Sequence, residues 1–169
     1  DAEFLDLEDG AAHMHIAGLC TFREPAPSLT EVMALIDSKL HSIPRYRQVV
    51  RRVPLDLGRP VWIDDDRFDL SYHVRHTALP RPGGDAELNA LMGRLMSEPL
   101  DMDRPPWEAW LVDELADDRW ALIFKTHHCM VDGIAGMGML TALLSIEPEP
   151  DISPGPLWTA KPAPSGPAL

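Results

Sequence analysis

Apolar residues recur along this chain with two distinct periods. Leu88, Leu91, Met92, Leu95 and Met96 follow an i, i+3, i+4, i+7, i+8 spacing after Asp85 and stop at Pro99. This predicts an amphipathic helix closed by a residue that cannot donate a backbone hydrogen bond. Val32, Leu35, Ile36 and Leu40 repeat the pattern up to Pro44, after the tetrapeptide Ser28-Leu29-Thr30-Glu31. That tetrapeptide is a capping box, in which the serine hydroxyl and the glutamate carboxylate satisfy backbone donors at a helix start. Ile134 to Leu144 also has helical spacing. The apolar run to Ile146 is shorter than the roughly 18 to 20 residues that span a bilayer. Gly136 and Gly138 interrupt it, so it reads as a buried helix.

Alternating and β-branched or aromatic runs place strands at about 13–22, 60–64, 70–78, 107–114 and 120–128, the last two joined as a hairpin by a short acidic turn. Strands and helices in this order predict an α/β fold, a mixed sheet covered by helices. From Pro148 the composition changes, with seven prolines in 22 residues. The expected organisation is a domain over 1–147 followed by an extended, Pro-rich linker over 148–169.

At 169 residues and 45% hydrophobic, the chain can bury a core of about one domain. Its net charge of −12 argues against a nucleic-acid partner, because phosphate backbones demand clustered cations. Cys20 and Cys129 are far apart and suggest no disulfide framework, which fits a reducing cytoplasm. The start, Asp1-Ala2-Glu3-Phe4, has neither the basic nor the apolar region of a signal peptide.

The densest chemistry is His127-His128-Cys129-Met130-Val131-Asp132-Gly133, at the junction of the last strand with the helix from Ile134. Adjacent strand residues face opposite ways. Trp120, Leu122, Phe124, Thr126 and His128 would share the more apolar face, and Ala121, Ile123, Lys125 and His127 the other. A histidine on the buried side of a strand end suits general-base work, since imidazole exchanges a proton near neutral pH and a dry site protects a reactive intermediate. Gly133 would leave room for substrate or backbone. Taken alone, such a histidine reads first as a hydrogen-bonded core residue and Asp132 as only the N-cap of the next helix, and it is the whole seven-residue pattern that favours chemistry.

The seven-residue pattern H-H-x-x-x-D-G in this setting resembles the signature of the CoA-dependent acyltransferase superfamily, which includes chloramphenicol acetyltransferase, carnitine acyltransferases, peptide-synthetase condensation domains and bacterial wax ester synthase/diacylglycerol acyltransferases. Pro99-Leu100-Asp101-Met102-Asp103-Arg104-Pro105-Pro106-Trp107-Glu108 is similar to the P-L-D-x-x-R-P-L-W-E segment of the last of these, with Pro106 in place of leucine. Phe4-Leu5, His13-Met14-His15-Ile16-Ala17-Gly18 and Pro44-Arg45-Tyr46-Arg47-Gln48 also look like the N-terminal half of that family.

The resemblance implies the N-terminal half of a two-domain, chloramphenicol-acetyltransferase-like fold, whose tunnel would be completed by a C-terminal half beyond an interdomain linker over 148–169. It implies transfer of a fatty acyl group from acyl-CoA to diacylglycerol or a long-chain alcohol at a lipid or membrane surface, by a cytoplasmic, peripherally attached enzyme with no resident cofactor. His128 would be the general base, with His127, Asp132 and Gly133 supporting the motif and Asp132 held by hydrogen bonds or an arginine. Arg45, Arg47, Arg51 and Arg52, the densest basic cluster, read as a solvated face or as contacts for CoA phosphates or anionic lipid. Trp107 is a further candidate contact.

Three other readings are weighed against this one. His13/His15 and His73/His76 could suggest a metal site, but neither a C-x-x-C nor an H-E-x-x-H spacing occurs. A condensation-type domain would use the same motif to form an amide but lack the P-L-D-x-x-R-P-x-W-E text. A non-catalytic interaction domain would keep the fold and lose the tunnel.

Overall fold

A computed structural model describes residues 2–8, 12–53, 58–130, 153 and 155–163. The described elements are α1 (Ala2–Leu7), β1 (His15–Arg23), α2 (Leu29–Leu40), a 3-10 turn at Pro44–Arg47, β2 (Gln48–Arg51), β3 (Val61–Asp64), α3 (Leu70–His73), β4 (Val74–Ala78), α4 (Asp85–Ser97), β5 (Trp107–Leu115), β6 (Arg119–His127) and a 3-10 turn at His128–Met130.

Four strands form one mixed sheet in the order β1-β6-β5-β4, with β4 parallel to β5 and the other pairs antiparallel, while β2 and β3 pair separately. The mixed, helix-covered sheet matches the expectation from the sequence. The two proposed helices that fall within the described residues start where the side chains place them. Ser28 Oγ accepts from the Glu31 N–H and Glu31 accepts from the Ser28 N–H. Glu87 accepts from the Gly84 N–H at the head of α4.

The strand expected over 70–78 is a correction. Asp69 accepts a hydrogen bond from the Ser71 N–H at 2.9 Å and initiates a helical turn, so Leu70–His73 is α3 and the strand begins at Val74. The short β2 and α1 were not anticipated. The apolar run from Ile134 lies outside the described residues. Among the described residues no helix is long and apolar enough to cross a membrane.

Side-chain parity divides the core in two. Trp107, Ala109, Leu111, Leu122 and Phe124 pack with Ile36 and Leu40 of α2, whereas Val112, Leu115, Ala121 and Ile123 pack with Leu88, Leu91 and Leu95 of α4. Alternating residues of β6 thus serve opposite faces, and both faces are covered. The layers are helix, sheet, helix. The hairpin between β5 and β6 closes against Gly83, whose φ of +75° and 2.1 Å spacing between an ideal Cβ and the Glu114 carbonyl oxygen admit only glycine.

A charged side chain lies inside this sandwich. Lys125, 1% exposed in mid-strand, donates from Nζ to the Leu95 carbonyl at 2.7 Å and to the Glu98 carbonyl. The last carbonyls of a helix have no partner within it and carry the negative end of its dipole, so a buried ammonium is well placed there. Burial pushes the Lys125 pKa down, opposed by Glu108 and Glu98. Replacing Lys125 by Met, which keeps the stem but strands these carbonyls, is expected to destabilise the protein by about 2 to 4 kcal/mol. The shift in the urea-denaturation midpoint measures it, and an unchanged midpoint would contradict the capping role.

Candidate active site

β6 ends at His127, one residue earlier than the alternation argument supposed. The His127 N–H donates to the Pro106 carbonyl (2.9 Å) and the His128 N–H to the Met14 carbonyl (2.7 Å), before the chain turns through His128–Met130. The sequence argument put His128 on the buried side of the strand. Instead His127 is wholly buried and His128 is half-buried in the turn, because both faces of β6 are dry and the strand stops between the two.

The two rings have different surroundings. His127 Nδ1 accepts from the Cys129 N–H at 3.1 Å, and Nε2 lies 3.2 Å from Glu8 Oε2. The His128 ring stacks on Phe4 of α1, with centroids 3.9 Å apart and planes at 25°, and its Nδ1 is buried without a hydrogen-bond partner among the described residues. The Cys129 thiol is pushed up to about 12 by burial, so it stays protonated at neutral pH and is no thiolate nucleophile. Asp132 and Gly133 lie outside the described residues.

Segments distant in sequence wall this turn. The end of the Pro99 to Glu108 stretch pairs with the strand that leads into it, with Trp107 opposite Thr126 and Glu108 opposite Lys125 in the ladder. Its side chains make internal contacts. Asp101 accepts from the Tyr72 hydroxyl and the Asp103 N–H, Arg104 donates to the Arg67 carbonyl, and Glu108 sits 3.5 Å from Arg75.

Trp107, a candidate substrate contact on sequence grounds, is 1% exposed. Its Nε1 donates to the Tyr46 carbonyl at 2.8 Å, and it stacks on His73 at 4.6 Å and on Phe124 at 5.6 Å. It is core, because an indole can be buried fully once its N–H has an acceptor. The Pro106 substitution keeps the one group its neighbour requires, the carbonyl that receives the His127 N–H.

The four arginines do not form an open basic face. Arg47 pairs with Asp37 (3.2 Å), Arg51 with Asp103 (3.2 Å) and Arg52 with Asp6 (2.8 Å), and Arg52 also donates to the Leu5 carbonyl. Arg51 and Arg52 thereby tie the Asp103 loop and α1 to the end of β2. Arg45 lies over the Trp62 ring at 4.3 Å and donates to Gln48, and burial lowers its pKa. Arg47 also faces Trp158 of the Pro-rich segment at 5.2 Å, and the Lys161 N–H bonds Asp64, so the described part of that segment lies along the domain.

The remaining histidines are individually committed. His15 Nε2 donates to the Met96 carbonyl, His41 Nδ1 to the Ser38 carbonyl and His73 Nδ1 to the Trp107 carbonyl, and His76 pairs with Asp113. The rings of His13 and His15 stack at 5.5 Å. Among the described residues no group of three His, Cys, Asp or Glu side chains stands close enough to hold a metal ion.

Sequence reasoning missed Glu8, His15 and Lys125 as neighbours of the motif. Lys125 carried a signal, an ammonium two residues before His127 in an otherwise apolar strand. Glu8 carried none, because nothing in its local spacing points 119 residues ahead.

Residues 1–168 match the wax ester synthase/diacylglycerol acyltransferase catalytic domain. The chain belongs to this family. It is 40% identical over 160 residues to tgs3 of Mycobacterium tuberculosis, named a probable diacylglycerol O-acyltransferase, covering 94% of this chain and 59% of that protein. The structure of the wax ester synthase/diacylglycerol acyltransferase from Marinobacter aquaeolei VT8 superposes with a TM-score of 0.71 at 35% identity, over 92% of this chain and 39% of that one. The starter condensation domain of rhizomide synthetase RzmA shares the fold, with a TM-score of 0.60 at 17% identity over 77% of this chain and 32% of that one. The chain therefore spans between about a third and three-fifths of the length of these proteins.

The buried histidines make stability pH-dependent. Burial lowers the pKa of His15, His73 and His127 from the ordinary 6.5, against the opposing effects of the Met96 carbonyl, the Trp107 carbonyl and Glu8 respectively. The unfolded chain takes up these protons first, so their contribution is complete above pH 6.5 and is lost as pH falls below it. The urea midpoint is expected to drop between about pH 7 and about pH 5. A flat profile over that interval would exclude neutral burial of the three.

Proposed function

We propose that the full-length protein is an acyl-CoA-dependent O-acyltransferase that forms triacylglycerol from diacylglycerol, wax ester from a long-chain alcohol, or both, with His128 as general base. The observation that carries this reading is the division of labour at the end of β6. Both nitrogens of His127 have partners and the Cys129 thiol is held protonated, while His128 is set apart in the turn against the Phe4 ring.

In this mechanism His128 takes the proton of the acceptor hydroxyl as its oxygen attacks the thioester carbonyl. The carbon–sulfur bond breaks, and the proton passes to the departing CoA thiolate, giving an ester and free CoA. The thioester is already activated, so no acyl-enzyme is needed, and binding both substrates together supplies proximity. Asp132 and Gly133 of the motif are assigned a supporting role. The C-terminal half of the protein supplies the remaining walls, and no resident cofactor takes part. Family membership and the tgs3 and Marinobacter relatives support the substrate class.

In the full-length enzyme His128→Ala is expected to lower kcat by about 100-fold or more, the usual scale for loss of a general base. CoA release assayed with diacylglycerol, fatty alcohol and amine acceptors measures it. Near-normal turnover by the folded variant would remove His128 from the chemistry, and preference for the amine would favour a condensation-type reaction.

The same reading places the enzyme in the cytoplasm at a lipid surface, attached peripherally. Leu7, Ile16 and Leu19, 60%, 41% and 38% exposed, offer apolar contact on α1 and β1. With Arg47, Arg51 and Arg52 paired to carboxylates, attraction to anionic lipid is weak. The intact protein is expected to float with phosphatidylcholine vesicles even at high salt, and failure to co-migrate at any salt concentration would overturn surface attachment.

A further inference from the structure

We infer that Glu8 is a positioning residue for the reaction: it fixes the tautomer of His127, and through His127 the turn that presents His128. The inference rests on the reading of His128 as the base.

Hydrogen-bond roles decide the tautomer. His127 Nδ1 faces the Cys129 N–H at 3.1 Å. A backbone N–H can only donate, so Nδ1 must hold a lone pair and the ring proton must sit on Nε2. That proton is donated to Glu8 Oε2 at 3.2 Å. The imidazolium, with protons on both nitrogens, would set two donors against each other at Cys129. His127 is therefore a neutral strut whose Nδ1 closes the 128–130 turn and whose Nε2 is anchored to a carboxylate.

Glu8 reaches this place through the chain that precedes β1. Its other oxygen, Oε1, accepts from the Met14 N–H at 3.3 Å, and the Met14 carbonyl receives the His128 N–H at 2.7 Å. One carboxylate thus touches both supports of the turn, the His127 ring and the strand segment that holds the His128 backbone. Its side chain is 20% exposed, so the contacts are partly shielded from water. Four residues earlier Phe4 covers the His128 ring, and Arg52 ties Asp6 and the Leu5 carbonyl between them. The segment 4–8 acts as one clamp with two ends.

Both oxygens are used as acceptors, which makes glutamine a discriminating replacement. Its amide has one acceptor and one donor group. Turned to serve His127 it sets its NH2 against the Met14 N–H. Turned to serve Met14 it sets its NH2 against Nε2 and drives the ring proton toward Nδ1, where Cys129 opposes it.

The test uses the full-length enzyme labelled with 15N-histidine, with the His127 signals assigned through a His127→Gln variant. The imidazole spectrum at neutral pH is expected to show His127 as the Nε2–H tautomer. In Glu8→Gln that pure state should be lost, and kcat should fall about 10- to 100-fold with KM for acyl-CoA held within about 2-fold. A folded Glu8→Gln enzyme with an unaltered tautomer, with normal kcat, or with a loss confined to KM would overturn the inference. If the variant fails to fold, the unsubstituted enzyme decides: a His127 signal of the Nδ1–H form or the imidazolium refutes the assignment. The tautomer is read without turnover, so absence of acyl transfer would count against His128 as base and leave the His127 assignment standing.

Discussion

The constraint on which the rest depends is that β6 is dry on both faces yet carries polar side chains. A buried polar group without a partner costs more than a hydrogen bond gains, so each must recruit an acceptor or donor from elsewhere in the chain. Lys125 recruits the carbonyl end of α4, and Thr126 donates to Met130 Sδ in the turn. His127 recruits Glu8 and the Cys129 N–H. These requirements fix which elements meet at the end of the strand, and His128 stands at that meeting point.

The Pro99 to Glu108 stretch acquires a physical meaning in this setting. It leads from the end of α4, held by Lys125 and His15, into the core tryptophan of β5, and its Pro106 carbonyl receives the His127 N–H. The end of this stretch and His127, the first residue of the histidine motif, are therefore hydrogen-bonded neighbours. One holds the backbone of the other.

Charge plays a local part. The net charge of −12 leaves carboxylates in excess, and Arg47, Arg51 and Arg52 each find one. The more exposed pairs, Arg51 with Asp103 and Arg52 with Asp6, contribute little to stability, about 0 to 1 kcal/mol each. Their consequence is geometric, since Arg51 and Arg52 lead from the end of β2 to the Asp103 loop and to α1.

By itself the sequence determined whatever depends on near neighbours along the chain. The Ser28 capping box, the two helical stripes, the β5–β6 hairpin and the placing of His127 at the end of a strand are set by contacts a few residues long, and side-chain period reports them directly. The family's two motifs could be read for the same reason. Only the tertiary structure decided that Asp69 turns the start of an expected strand into a helix, that Trp107 is core, that three arginines are already paired, and that His127 is the more buried of the two. It alone brought Glu8 to His127 across 119 residues. Burial and pairing depend on what the rest of the chain packs against a residue, and local period carries no information about which distant side chain arrives.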